Sequence, residues 1–168
     1  MHTGKRRGEG LDMGRAVVFG LSHAAALALG VAAGIYALPI MIAPPSPGTA
    51  ELEQLAARAQ FTAVIRPEVA GHDWIHWGEG TLSIGRNAVS LAGRIGPGPD
   101  YKLYLSPEMV EDEDAFRRVK ARSARVGNVD TFTNFVVPMP RSIDPSQYVA
   151  VVVWCESFSR FITAARYR

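Results

Sequence analysis

The one thiol in the 168-residue chain is Cys155. A lone thiol excludes an intrachain disulfide and a Cys-rich zinc site. Cys155 closes the run 148–154, which is apolar on both faces, as a central strand requires. A period of two puts Val149, Val151, Val153 and Cys155 on one face and Trp154 on the other. Glu156 and Ser157 then begin a turn. Cys155 is therefore expected at the rim of a sheet, within reach of a ligand or partner. By composition the same residue reads as a small buried hydrophobe. An exposed, unpaired thiol in an oxidising compartment is oxidised or cross-linked unless shielded or ligated. The two readings pull against each other, and the residue types alone do not decide between them.

Other chemistry-bearing residues are weaker. His72 and His76 share a face at i, i+4 in either a helix or a strand. With Cys155 they would make a His₂Cys copper set, but no second His follows Cys155, and the competing reading is rim histidines beside Trp74 and Trp77. No metal is assigned. Glu111-Asp112-Glu113-Asp114 followed by the basic run 117–125 reads as a solvated helix with acids at its N-terminal end. Gly78-Glu79-Gly80 and Gly96-Pro97-Gly98 lack the strand–loop–helix setting of a phosphate loop and read as turns. No nucleophile elbow is present, so a hydrolase or transferase has no constellation behind it.

These residues must be positioned by a chain of two characters. The first fifteen residues hold Lys5, Arg6, Arg7 and Arg15 against Glu9 and Asp12, which accounts for the whole net charge of +2. So small an excess gives no reason to expect nucleic-acid binding. Residues 16–43 carry 22 hydrophobic side chains in 28 positions and no Asp, Glu, Lys or Arg. As a helix that stretch exceeds the roughly 20 residues a bilayer core needs, and Pro44-Pro45 should end it. The competing reading is a cleavable signal, whose apolar region is shorter; Met41 and Pro44 make Ala43 a poor cleavage site, and Ala50 is a weak alternative. Basic residues crowd the N-terminal flank, so the tail should stay in the cytoplasm and residues 44–168 should face outward, which in a bacterial chain is the periplasmic or external side of the inner membrane. Gly30 and Gly34 form G-x-x-x-G, a face on which two copies can pair as a homodimer; the competing and favoured reading is an Ala/Gly-rich anchor in which the spacing is a chance match. His23 is an ionisable residue within the span, where a single neutral His is also simply tolerated.

The expected order is a basic cytoplasmic tail (1–15), a transmembrane helix (16–43), a Pro-rich spacer with a short amphipathic helix capped by Thr49 (44–60), and an extracytoplasmic β-domain (61–168). Within the last, residues 81–84, 88–92, 101–105, 119–126, 131–137, 148–154 and 158–167 read as strands between Gly/Pro turns, with a helix starting at Ser106-Pro107-Glu108. With one internal helix there are no crossovers for a parallel sheet. The fold class is all-β, an antiparallel sandwich or barrel, preceded by one transmembrane helix.

Val153-Trp154-Cys155-Glu156-Ser157-Phe158 with Phe161 and Ala164-Ala165 resembles the C-terminal signature of the DM-thirteen domain family. Gly98-Pro99-Asp100-Tyr101 with Leu103-Tyr104-Leu105-Ser106, His76 with Gly78 and Gly80, and Val126-Gly127 with Asn134-Phe135 and Pro138 resemble its upstream elements, over about residues 70–168. The chain departs at Phe135, where an aromatic hydroxyl is common, and in the insert near 108–125. The resemblance implies an all-β electron-transfer module whose Cys155 is a redox thiol or a ligand to a prosthetic group such as haem. Trp154, Asp100, Tyr101 and His76 are expected to line its site. The implied partners are the lipid bilayer and a redox protein of the envelope. The alternative is a non-catalytic protein- or glycan-binding scaffold in which Cys155 is core.

Overall fold

The computed structural model describes residues 7–66 and 71–168. Lys5 and Arg6 of the basic flank, and residue 70 at the start of the family-like stretch, lie outside the described residues. The chain divides into two compact units, Met1–Leu38 and Pro39–Arg168.

Helix α1 runs Arg7–Ile42 and passes through Pro39. It stops before Pro44-Pro45, neither of which has an N–H to continue the ladder. Within α1, Met13–Ile42 is long and apolar enough to cross a membrane, with a hydropathy of 2.1. The ring of His23 is satisfied on its own helix, with Nδ1 2.7 Å from the Phe19 carbonyl.

Helix α2, Thr49–Ala57, corrects one expectation. Gly48, not Thr49, is the cap; it is extended and no side chain bonds there. The first turn closes through Leu52 N–H to the Gly48 carbonyl at 3.2 Å. Leu52 is buried while Glu51 and Glu53 face outward. The spacer is tied down as well: Asn134 Nδ2 donates to the Pro47 carbonyl at 3.4 Å.

Eight strands follow: β1 Phe61–Ile65, β2 Gly78–Ile84, β3 Ala88–Ile95, β4 Tyr101–Ser106, β5 Ala124–Asn128, β6 Thr133–Pro138, β7 Ala150–Cys155 and β8 Arg160–Arg166. They form two four-stranded sheets, ordered β1-β2-β3-β6 and β5-β4-β7-β8, with antiparallel pairing throughout. Of the sandwich and the barrel that the strand pattern allowed, two separate sheets make this a β-sandwich. Between the sheets lie Leu82, Ile84, Val89 and Leu91 from one and Leu103, Leu105, Val151 and Val153 from the other.

The helix after β4 starts later than Ser106-Pro107-Glu108 suggests. Ser106 is the last residue of β4, in register with Ala150, and its hydroxyl donates to the Glu108 carbonyl at 2.7 Å, closing a turn. Helix α3 is Glu113–Val119, capped by Asp112, whose carboxylate accepts from Ala115 N–H at 2.7 Å. Glu113 and Asp114 occupy its first turn and Arg117 and Arg118 its last, the order the helix dipole favours. A 3-10 turn, Lys120–Arg122, comes next, so the strand expected from residue 119 begins only at Ala124. Phe116 and Val119 of α3 cover a second core made of Tyr104, Val152, Trp154, Phe161 and Ala164. That cover explains why β7 is apolar on both sides: one face meets the other sheet and the other meets α3.

Candidate redox site

Cys155 ends β7, as its sequence position implies, but its side chain is not at the surface. The residue is 3% exposed, and its sulfur donates to the Pro99 carbonyl at 3.0 Å. This corrects the expectation of a reachable rim thiol. The reason is the loop 96–100, which folds over the end of β7. Burial pushes the thiol above its ordinary value of 9.0, so the sulfur is held protonated rather than as the thiolate that attacks or ligates.

The loop is locked by the residues that carry the family resemblance. Tyr101 is the cross-strand partner of Cys155. Glu156 N–H donates to the Asp100 carbonyl at 3.1 Å. Ser157 Oγ donates to Asp100 Oδ2 at 2.9 Å, and Lys102 Nζ pairs with Oδ1 at 2.6 Å. The Lys102 bond comes first among the causes that hold the Asp100 carboxyl below its ordinary value. Asp100 adopts φ +56°, a left-handed conformation that Asp tolerates better than most residues. Gly98 is required by close approach, since a Cβ there would lie 2.7 Å from Tyr101 Cζ. The Gly-Pro-Asp and Trp-Cys-Glu-Ser elements, more than fifty residues apart, therefore close on each other residue by residue.

Of the expected site residues, Asp100 and Tyr101 adjoin Cys155. Trp154 is its chain neighbour but points to the opposite face, beneath α3. His76 is engaged elsewhere. Its Nδ1 lies 2.8 Å from Asp73 Oδ2 in the turn before β2, and Asp73 Oδ1 accepts from the N–H groups of Ile75 and His76. Burial alone would raise the Asp73 carboxyl; the bonds from the His76 ring and the two N–H groups outweigh it and bring it to about 2. His72 Nε2 lies 2.9 Å from Thr163 Oγ1. Among the described residues no group of three or more His, Cys, Asp or Glu is placed to hold a metal, so His72, His76 and Cys155 do not form the copper set.

A haem ligated by Cys155 does not fit these residues. The sulfur's hydrogen is committed to Pro99, its inward neighbours are core, and loop 96–100 would have to be displaced. An open cleft of about 300 Å³ near Trp77, Arg94, Pro97 and Phe132 does not include Cys155, and Arg94 there is paired with Glu79.

Residues that the strand pattern did not single out surround Trp154. Tyr104 Oη donates to Glu156 Oε1. Lys120 Nζ pairs with Glu156 Oε2 at 2.5 Å and stands 5.5 Å from the Trp154 ring centre and 5.8 Å from that of Tyr104. Phe116 bridges the two rings, 5.0 Å from Trp154 and 5.2 Å from Tyr104. Glu156 and Tyr104 both stand in the quoted motifs. Lys120 and Phe116 come from the insert, and only the fold reveals that these four meet.

The second unit thus holds a two-sheet antiparallel domain with one motif pair clasped around a buried sulfur. A family model described as electron transfer DM13 matches residues 71–167. The chain belongs to the DM13 family. No curated protein and no solved structure matches it.

Proposed function

We propose that this chain is a membrane-anchored electron-transfer module working outside the cytoplasm, with Cys155 at the centre of its site. The carrying observation is the clasp of Gly-Pro-Asp on Trp-Cys-Glu-Ser around one buried sulfur, in a family described by electron transfer. Because the thiol is buried and held protonated under loop 96–100, its oxidation must release the S–H proton together with the electron, which requires the loop to lift and admit a base. The anchor is α1, with the basic flank on the cytoplasmic side and a redox protein of the envelope as partner. Gly30 and Gly34 supply the small-residue face on which a second copy would pair. In the 168-residue chain in detergent, reversible one-electron exchange altered by Cys155→Ala supports the reading. Exchange unchanged in Cys155→Ala removes Cys155 from it, and no exchange in the wild type removes the whole.

One observation favours a second reading. Cys155 is buried and hydrogen-bonded as a core residue is, which suits a protein- or glycan-binding scaffold. Loss of stability in Cys155→Ala with unchanged function in the cell would support that alternative.

A further inference from the structure

Resting on the electron-transfer reading, we propose that Tyr104 is a redox-active tyrosine of this domain and that Glu156 is the base that takes its proton. Three observations carry this. First, the Tyr104 hydroxyl donates to a carboxylate, whereas that of Tyr167 donates to the Pro145 backbone carbonyl, which cannot accept a proton. Second, Trp154 has no comparable outlet. Among the described residues its buried Nε1 has no hydrogen-bond partner, so an oxidised indole would stay a cation, and the Lys120 ammonium 5.5 Å from its ring opposes that charge. A tyrosine that surrenders its proton becomes a neutral radical and escapes the same repulsion. Third, the pair lies one layer below the surface: Tyr104 is 6% exposed, while the Glu156 and Lys120 side chains are 26% and 32% exposed.

The step balances as follows. A one-electron metal-centred oxidant at the surface takes one electron from Tyr104. The Tyr104 O–H bond breaks and the proton forms an O–H bond on Glu156 Oε1. The products are a neutral tyrosyl radical, a neutral Glu156 carboxyl and the oxidant reduced by one electron. Return of one electron from a reductant restores the phenol, with the proton coming back from Glu156. Lys120 and Tyr104 together hold the Glu156 carboxyl below its ordinary value against the effect of burial, so the base is ionised when the step begins. Arg125 and Asp100 are the other charged groups that bear on the pair.

The test is flash oxidation of the full chain in detergent with photogenerated tris(bipyridine)ruthenium(III), followed by the visible absorption and paramagnetic resonance of a tyrosyl radical. The wild type should form it in a fast phase that Tyr104→Phe abolishes with the ring packing intact. Glu156→Gln should slow that phase by about 100-fold or more, the range a positioned proton acceptor contributes. Lys120→Met breaks the same ion pair but keeps the carboxylate, and should retain the fast phase. A tyrosyl radical formed equally fast in Tyr104→Phe, or in Glu156→Gln, overturns the assignment and leaves electron transfer by the domain standing. A wild type that gives no protein radical overturns the assignment, while one-electron exchange altered by Cys155→Ala would still uphold the broader reading.

Discussion

The sealing of Cys155 gives a number to measure. A thiol reagent reaches the sulfur only if loop 96–100 lifts. Lifting breaks the Cys155–Pro99, Glu156–Asp100 and Ser157–Asp100 hydrogen bonds, at 3.0, 3.1 and 2.9 Å. At about 1 kcal/mol net for each, and with nothing added for the Lys102–Asp100 pair, opening costs about 3 kcal/mol. Every 1.4 kcal/mol is tenfold, so labelling should be about 100-fold slower in the folded chain than in denaturant. The assay is the labelling rate of the full chain with an aromatic disulfide reagent at neutral pH, with and without denaturant, the fold being followed by circular dichroism. Asp100→Ala removes the Ser157 and Lys102 contacts and places a β-carbon at φ +56° without a compensating polar side chain. It should speed labelling about tenfold, the equivalent of about 1.4 kcal/mol. Labelling of the folded wild type at the denatured rate would refute the clasp and return Cys155 to the surface.

Further outcomes follow from the same structure. Asp100→Gly should label more slowly than Asp100→Ala, because glycine adopts the left-handed conformation without strain; the same assay reads it. Phe116→Ala empties a fully buried position under α3 and should cost about 3–5 kcal/mol in denaturant unfolding. Gly93→Ala drives a Cβ to 2.7 Å from Gly80 Cα and against the Glu79 carbonyl, so it should destabilise by about 1–3 kcal/mol. The Asp73 carboxyl sits at about 2 in the folded chain against 3.8. Its contribution is complete above 3.8 and is lost as pH falls through about 2. Trp74, 88% exposed on that turn, should report the change by fluorescence, and Asp73→Asn should erase it.

Most strands were legible because alternation and Gly/Pro punctuation act over a few residues, but β1 was not delimited, Gly78-Glu79-Gly80, read as a turn, opens β2, and β5 starts only at Ala124. The end of α1 was legible at Pro44-Pro45 for the same local reason. Thr49 and Ser106 were misread because cap chemistry is shared by residues one position inside a helix and by residues ending a strand. At Ser106 the register with Ala150 decided, and register is a property of two strands. The burden on Cys155 was readable in part. Alternation assigned its face and its place at the end of β7, but exposure depends on what lies above, and loop 96–100 comes from more than fifty residues away.

The sequence by itself determined the apolar helix, the β class, the motif pair and the lone thiol, since each is written in local residue type and spacing. Tertiary structure alone decided that His76 goes to Asp73, that Trp154 turns its back on Cys155, that Lys120 and Tyr104 meet on Glu156, and that Phe116 packs between the Tyr104 and Trp154 rings. Those pairings are set by sheet order and by the helix laid across β7, and nothing within a few residues of any one of them encodes the partner.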